Sequence, residues 1–284
     1  MKNKTEGKME IGVLAMYHDR KDNPFQPVAD MGLKTAQLQN WDMTLPTPDF
    51  AKKVRKDLKS SGIRLAAFWG GYSGRIVWNS CLGPGTCGLV PRDLRERRVA
   101  ELKKGAEFAE MIGAPALVTH CGFIPENPMD PLYAETLNAV YDVASHCLKL
   151  GIGFWFEAGQ ETPLTLLRTI EDLGLPNLGV NLDTANLILY GRGNPADALD
   201  ILGKYVRNLH IKDGLPPVNG RVLGTEVPVG EGKADFDAII RKLYELKFTG
   251  ELTIEREISG KKQIEDIRKA EKLLRKLLKK YAPV

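Results

Sequence analysis

Eight short apolar runs alternate with helix-forming stretches along nearly the whole chain. Glu10–Met16, Lys34–Leu38, Arg64–Trp69 and Ala116–His120 are the first four; the others end at Glu157, Asp183, His210 and Glu255. Between and after them lie stretches read as helices: Phe25–Met31, Pro48–Ser61, Pro91–Ile112, Pro131–Leu150, Pro163–Leu173, Pro195–Leu202, Asp235–Leu246 and the C-terminal Lys261–Lys280. Thr47 is placed to cap the second and Gly62 to stop it. Strands that each lead into a helix must run parallel, with the helices outside the sheet. Eight such units close most simply into a single-domain (β/α)8 barrel, which 284 residues accommodate. A doubly wound open sheet is the alternative, but no G-x-G-x-x-G opens a helix after the first strand. Residues 9–284 are thus expected to form one catalytic barrel domain, and the polar residues 1–8 a loose tail.

Composition excludes several classes. No apolar segment approaches the ~18 residues of a membrane span, and the N-terminus lacks the apolar core of a signal peptide. Four cysteines without C-x-x-C spacing read as free thiols, pointing to a cytoplasmic protein. The net charge of +4 owes much to the C-terminal run, where Ile264, Ile267, Ala270, Leu273, Leu274, Leu277 and Leu278 line one face. This is an amphipathic helix with a solvated basic side rather than a nucleic-acid or membrane site.

Function is expected where a barrel keeps it, at the C-terminal strand ends. Four consecutive runs finish there in Glu157, Asp183, His210 and Glu255, with intervals of 26, 27 and 45 residues. Three carboxylates and one imidazole form an oxygen-rich donor set. It suits Mn²⁺, Mg²⁺ or Co²⁺, with Zn²⁺ also compatible. A single acid at a strand end is commonly a helix cap or a solvated group; four in sequence favour a metal site.

The segment from Glu157 to Glu257 resembles the xylose isomerase-like TIM-barrel superfamily, especially its sugar isomerase/epimerase branch of D-tagatose 3-epimerase-like enzymes. The residues carrying the resemblance are Phe156-Glu157, the run Leu175 to Asn186, Leu209-His210-Ile211-Lys212-Asp213, Val229 to Gly232 with Asp235-Phe236, and Phe248 to Glu255. The resemblance implies that Glu157, Asp183, His210 and Glu255 hold one divalent metal, often Mn²⁺. It also implies that Glu157 and Glu255 are the acid/base pair of an epimerase working through a metal-stabilised enediolate. Relatives in this branch are often dimers or tetramers. Two positions depart from the branch. Asn186 stands where many relatives have a histidine, and Pro216 where the epimerases have an arginine, which leaves Arg221 to substitute for it.

His120, ending the fourth run, is a candidate for a substrate hydroxyl or a structural histidine. Trp69 is an apolar wall or core. Asn186, Lys212, Asp213 and Arg221 are further substrate-binding candidates, and Asn181 and Gln160 are possible supports for the metal ligands. The long loop Gly70–Val90 reads as a lid or a wall of the site. The expected function is a metal-dependent sugar or keto-sugar isomerase/epimerase. The same site can serve a lyase, dehydratase or decarboxylase on an oxidised sugar. An apurinic endonuclease-like activity conflicts with a total of four histidines, and a dead sugar-binding barrel with the intact ligand set.

Overall fold

The computed structural model describes residues 8–282. Of the expected tail only the exposed Lys8 falls within them; residues 1–7 lie outside the described residues. Eight parallel strands close a barrel in the order β1-β10-β7-β6-β5-β4-β3-β2. These are β1 Glu10–Met16, β2 Thr35–Asn40, β3 Arg64–Gly70, β4 Ala116–Thr119, β5 Gly153–Glu157, β6 Leu178–Asp183, β7 Val206–Ile211 and β10 Glu251–Ile254. The remaining strands, β8 Asp213–Leu215 and β9 Thr225–Val227, pair antiparallel above β7. This hairpin has no counterpart among the eight runs legible in the sequence. Its strands are three residues each, too short to leave an alternating pattern.

The principal outer helices are α1 Gln26–Asp30, α2 Pro48–Ser61, α3 Arg92–Ile112, α4 Pro131–Lys149, α5 Pro163–Leu173, α7 Pro195–Leu202, α8 Phe236–Glu245 and α9 Lys261–Tyr281, with a one-turn α6, Asn186–Leu189, after β6. Their ends follow local chemistry. Thr47 accepts the Phe50 N–H at the start of α2, and Gly62 stops that helix at φ +65°, a conformation that costs glycine nothing. Helix α9 buries Ile267, Ala270, Leu274 and Leu277, leaving its lysines in water.

Outward-facing strand residues such as Val13, Leu38, Phe68, Leu117, Phe154, Val180, Leu209 and Ile254 join the helices in one apolar core. The barrel interior is different. Trp69, Val118 and Ala67 fill one side, while Gln37, Asn181, Asn208 and Thr253 form a buried polar layer on the other. Asn208 donates to Asn181 at 2.5 Å, Gln37 donates to Asn181 at 3.3 Å, and Thr253 donates to Asn208 at 3.1 Å. Gly12 allows β1 to approach β2, because a Cβ there would stand 2.7 Å from the Thr35 carbonyl oxygen.

Asp213 does not present its carboxylate to a substrate, as its position beside His210 suggests. Oδ1 accepts from Gly214 and Ala234, and Oδ2 from Gly230 and Gly232, all at 2.8–3.0 Å. Asp213 therefore folds the loop before α8 against the end of β7. Asp213→Ala strands four amides, so we expect a loss of about 3 kcal/mol, visible as a lower midpoint of urea unfolding.

Candidate active site

Strand register delivers the four strand-end residues to one place. Asp183 pairs in register with His210, and His210 with Thr253, two residues before Glu255. Among the described residues this is the one group of converging His, Cys, Asp or Glu side chains, with all four ligand atoms within 4.8 Å of one another. His210 Nδ1 lies 3.0 Å from Glu157 Oε1, 3.2 Å from Glu255 Oε2 and 4.0 Å from Asp183 Oδ2.

Each ligand candidate is held from behind. His210 Nε2 sits 2.6 Å from Gln37 Oε1, a pure acceptor, so Nε2 carries a proton, and Nδ1 is turned towards the carboxylates. Trp69 Nε1 donates to Glu157 Oε2, and Asn186 Nδ2 stands 3.4 Å from Glu157 Oε1. Asp183 Oδ1 accepts the backbone N–H groups of Ala185 and Asn186 at 2.7 and 2.8 Å, which aims the other oxygen inward. That oxygen, Oδ2, is buried and accepts no hydrogen bond. Lys212 Nζ lies 3.2 Å from it, without hydrogen-bonding geometry, and reaches Glu255 at 3.3 Å and Glu257 at 2.6 Å. A buried carboxylate oxygen without a hydrogen bond, amid two further carboxylates and an imidazole, fits a divalent cation.

Burial and charge oppose each other throughout. Burial raises the Asp183 carboxyl, more than the Lys212 charge lowers it. Burial alone would also raise Glu157 and Glu255, but in both the neighbouring positive charges prevail and hold them low: His120 and His210 for Glu157, Lys212 and His210 for Glu255. Desolvation would lower His210, yet Glu157 and Glu255 lift it to about 10. The Lys212 ammonium is likewise stabilised by Asp183, Glu255 and Glu257 against its burial.

An aromatic wall rises on one side. Trp69 and Trp41 have ring centroids 4.7 Å apart, and His120 lies 5.7 Å from Trp69 and 5.2 Å from Trp78. His120 Nε2 is 3.7 Å from Glu157 Oε2. The loop bearing Trp78 is pinned by the fully buried Arg98, which donates to the carbonyls of Ser73, Thr86 and Gly88 at 2.7–3.0 Å. Arg221, by contrast, is exposed in the hairpin turn with no partner for its guanidinium among the described residues, and Pro216 is exposed as well. Gln160 donates to the Tyr190 hydroxyl at 3.3 Å rather than to a metal-ligand candidate, and Asn181 lies in the polar layer.

Sequence reading missed Gln37, Trp41, Glu161 and Glu257. Gln37 carried a signal: it shares one face of β2 with Thr35 and Gln39, opposite the apolar Ala36 and Leu38. Glu161, 3% exposed, follows β5 on the same side of the mouth. Burial pushes its carboxyl up to about 8, with Arg192 opposing. A carboxyl raised on folding binds more protons in the native state, so stability falls as pH rises from ~4.5 through ~8. Glu161→Gln removes that penalty. Its melting temperature is expected to gain on that of the parent as pH rises from 5 to 8.5, by the equivalent of a few kcal/mol at most; parallel melting curves at all pH values would contradict this.

The family model described as Xylose isomerase-like TIM barrel matches residues 25–279. The chain belongs to the xylose isomerase-like TIM-barrel family. The structure is similar to that of a xylose isomerase domain protein from Planctomyces limnophilus, with a TM-score of 0.89 and 35% identity over 98% of this chain and 99% of that one. A D-tagatose 3-epimerase-like protein superposes with a TM-score of 0.73 at 19% identity, over 96% of this chain and 98% of that one. A 3-keto-D-glucoside 4-epimerase from E. coli superposes with a TM-score of 0.69 at 18% identity, over 95% of this chain and 100% of that one.

Proposed function

We propose that the protein is a divalent-metal-dependent sugar isomerase or epimerase, using Mn²⁺ by preference, with Mg²⁺, Co²⁺ or Zn²⁺ as compatible ions. The observation that carries this reading is the convergence of Glu157, Asp183, His210 and Glu255 around an Asp183 oxygen that accepts no hydrogen bond. These four residues would hold the ion. When bound, it supplies positive charge that stabilises the negative oxygen developing as a proton leaves the carbon beside a carbonyl.

The protein's own groups do the remaining work. Glu157 and Glu255 flank His210 Nδ1 at 3.0 and 3.2 Å. Two carboxylates on opposite faces of one carbon can remove a proton from one side and return it on the other. Hydrogen bonds from Trp69 and Asn186 orient Glu157, and Lys212 holds Glu255. Trp41, Trp69 and Trp78 supply an apolar face against which a sugar ring can lie. His120, Asn186 and Lys212 remain the groups proposed to bind substrate hydroxyls. The superposition on sugar epimerases supports a small-molecule sugar substrate.

A second reading uses the same carboxylates to expel water or another group from an oxidised sugar. It is favoured by the exposed Arg221 and Pro216, which leave the site without the arginine of the ketose epimerases. Protein loaded with Mn²⁺ and incubated with a ketose and keto-sugar panel in D₂O separates the readings by mass spectrometry. Isomerisation places solvent deuterium at a carbon beside the carbonyl, and elimination lowers the product mass. Absence of both across the panel would count against either chemistry.

A further inference from the structure

Along β2 the inward-facing side chains are Thr35, Gln37 and Gln39, while Ala36 and Leu38 turn out to the helices. Alternate residues of a strand lie about 6.5 Å apart, so Gln39 stands one layer above Gln37, towards the mouth of the barrel. Gln37 is engaged beneath the site, with His210 Nε2 at 2.6 Å and Asn181 at 3.3 Å. Gln39 thus reaches the level where a molecule held by the strand-end carboxylates would lie. Strand register sets Met16 of β1 on one side of it and Trp69 of β3 on the other. With Glu255 it lines a cavity of about 810 Å³ that opens beside β1. The other polar side chains at the inward strand ends all have partners in the protein. Trp69 donates to Glu157, and His120 Nδ1 lies 3.3 Å from the Glu157 carbonyl oxygen. Glu157 and His210 contact each other, Asp183 accepts two backbone amides, and Glu255 receives Lys212. The half-buried Gln39 amide alone makes no hydrogen bond among the described residues.

We infer that Gln39 is a specificity-determining residue, whose amide reads a hydroxyl group of the sugar on the Glu255 side of the site. This rests on the sugar-isomerase reading and deepens it. Nothing in the fold requires an amide at this position, since Gln39 supports no other side chain. A primary amide carries an acceptor oxygen and two N–H donors, and a hydroxyl both donates and accepts. The two therefore match in either orientation, and neighbouring hydroxyls can take the oxygen and the nitrogen together. The apolar face of Trp69 on the adjacent strand complements this edge, because a sugar ring presents C–H groups on its face and hydroxyls around its rim. A hydroxyl fixed by Gln39 sets which carbon of the sugar faces Glu255, so the contact acts on orientation as well as on affinity.

The test uses the full chain loaded with Mn²⁺ and follows solvent-deuterium incorporation in D₂O from D-fructose, D-psicose, D-sorbose and D-tagatose. The monodeoxy analogues of the ketose that reacts fastest are then compared with it. Gln39→Met keeps the length of the side chain and removes the amide. It is expected to lower kcat/KM on the intact ketose by about 10–100-fold. On the one deoxy analogue that lacks the hydroxyl read by Gln39, the same substitution should cost less than about threefold, because both partners of the hydrogen bond are then absent. Bound Mn²⁺ should remain at the parental level, unlike in a Gln37 variant, and thermal melting followed by circular dichroism should be unchanged. An undiminished rate on the intact ketose overturns the inference and leaves Gln39 a solvated side chain. Equal loss on the ketose and on every deoxy analogue, loss of Mn²⁺, or a lowered melting temperature assigns it a structural role and overturns the inference too. In each of these cases the parent protein still exchanges deuterium, so the reading beneath survives. Absence of incorporation by the parent protein from all four ketoses overturns that reading and this inference with it.

Discussion

His210→Ala is expected to empty the proposed metal centre. Metal analysis after desalting should fall from about one ion per chain to near zero, and turnover by at least about 10³-fold. His210 supplies the sole nitrogen of the cluster, and its Nδ1 stands within 3.0–4.0 Å of all three carboxylates. Removing it leaves those carboxylates buried and facing one another, with Lys212 beside Asp183 and Glu255 and His120 beside Glu157. The loss should also be graded. Gln37 touches only the far nitrogen, so Gln37→Ala should lower metal affinity by about 10–100-fold while leaving a site that fills at high metal concentration. Equal loss in both variants would mean that the polar layer, rather than the imidazole ligand, sets occupancy.

Glu255→Gln should separate proton transfer from metal binding. The amide keeps the shape and one oxygen but cannot accept a proton, so turnover should fall by about 10²–10⁴-fold. Metal occupancy should persist more than in His210→Ala, because Glu157, Asp183 and His210 remain. The asymmetry is the informative part. If Glu157 and Glu255 work on opposite faces, Glu255→Gln should abolish solvent-deuterium exchange from one epimer and retain it from the other, and Glu157→Gln should give the reverse pattern. Loss from both epimers in both variants would place the two carboxylates in a single shared step. Lys212 complicates Glu255→Gln, since its ammonium loses one of three anionic neighbours but keeps Asp183 and Glu257. The remaining pair should hold it in place.

The architecture was legible because its signal is serial. Apolar runs of strand length alternate with capped helices, and each residue of the Glu157, Asp183, His210 and Glu255 set lies at the end of its strand or within one position of it. A parallel barrel converts that order directly into proximity. What escaped were features fixed by register and loop closure. Lys212 follows His210 by two residues and so shares its inward face, but its three anionic neighbours come from two other strand ends. Gln37 lies 173 residues from the histidine it supports. Asp213 resembled a substrate ligand by adjacency, whereas its four amide donors include three from 17 to 21 residues downstream. Loop glycines gave no advance sign of that cradle. Glu161 looked like any polar loop residue until the packing of the loop around it set its exposure at 3%.

The most direct test of the metal-centred account is an anomalous-difference map from crystals of the full chain grown with Mn²⁺. The account predicts one strong peak bonded to Glu157, Asp183 through Oδ2, His210 through Nδ1, and Glu255, with Lys212 displaced towards Glu257. A map without a peak among these four residues, at Mn²⁺ concentrations that saturate any solution activity, would contradict it.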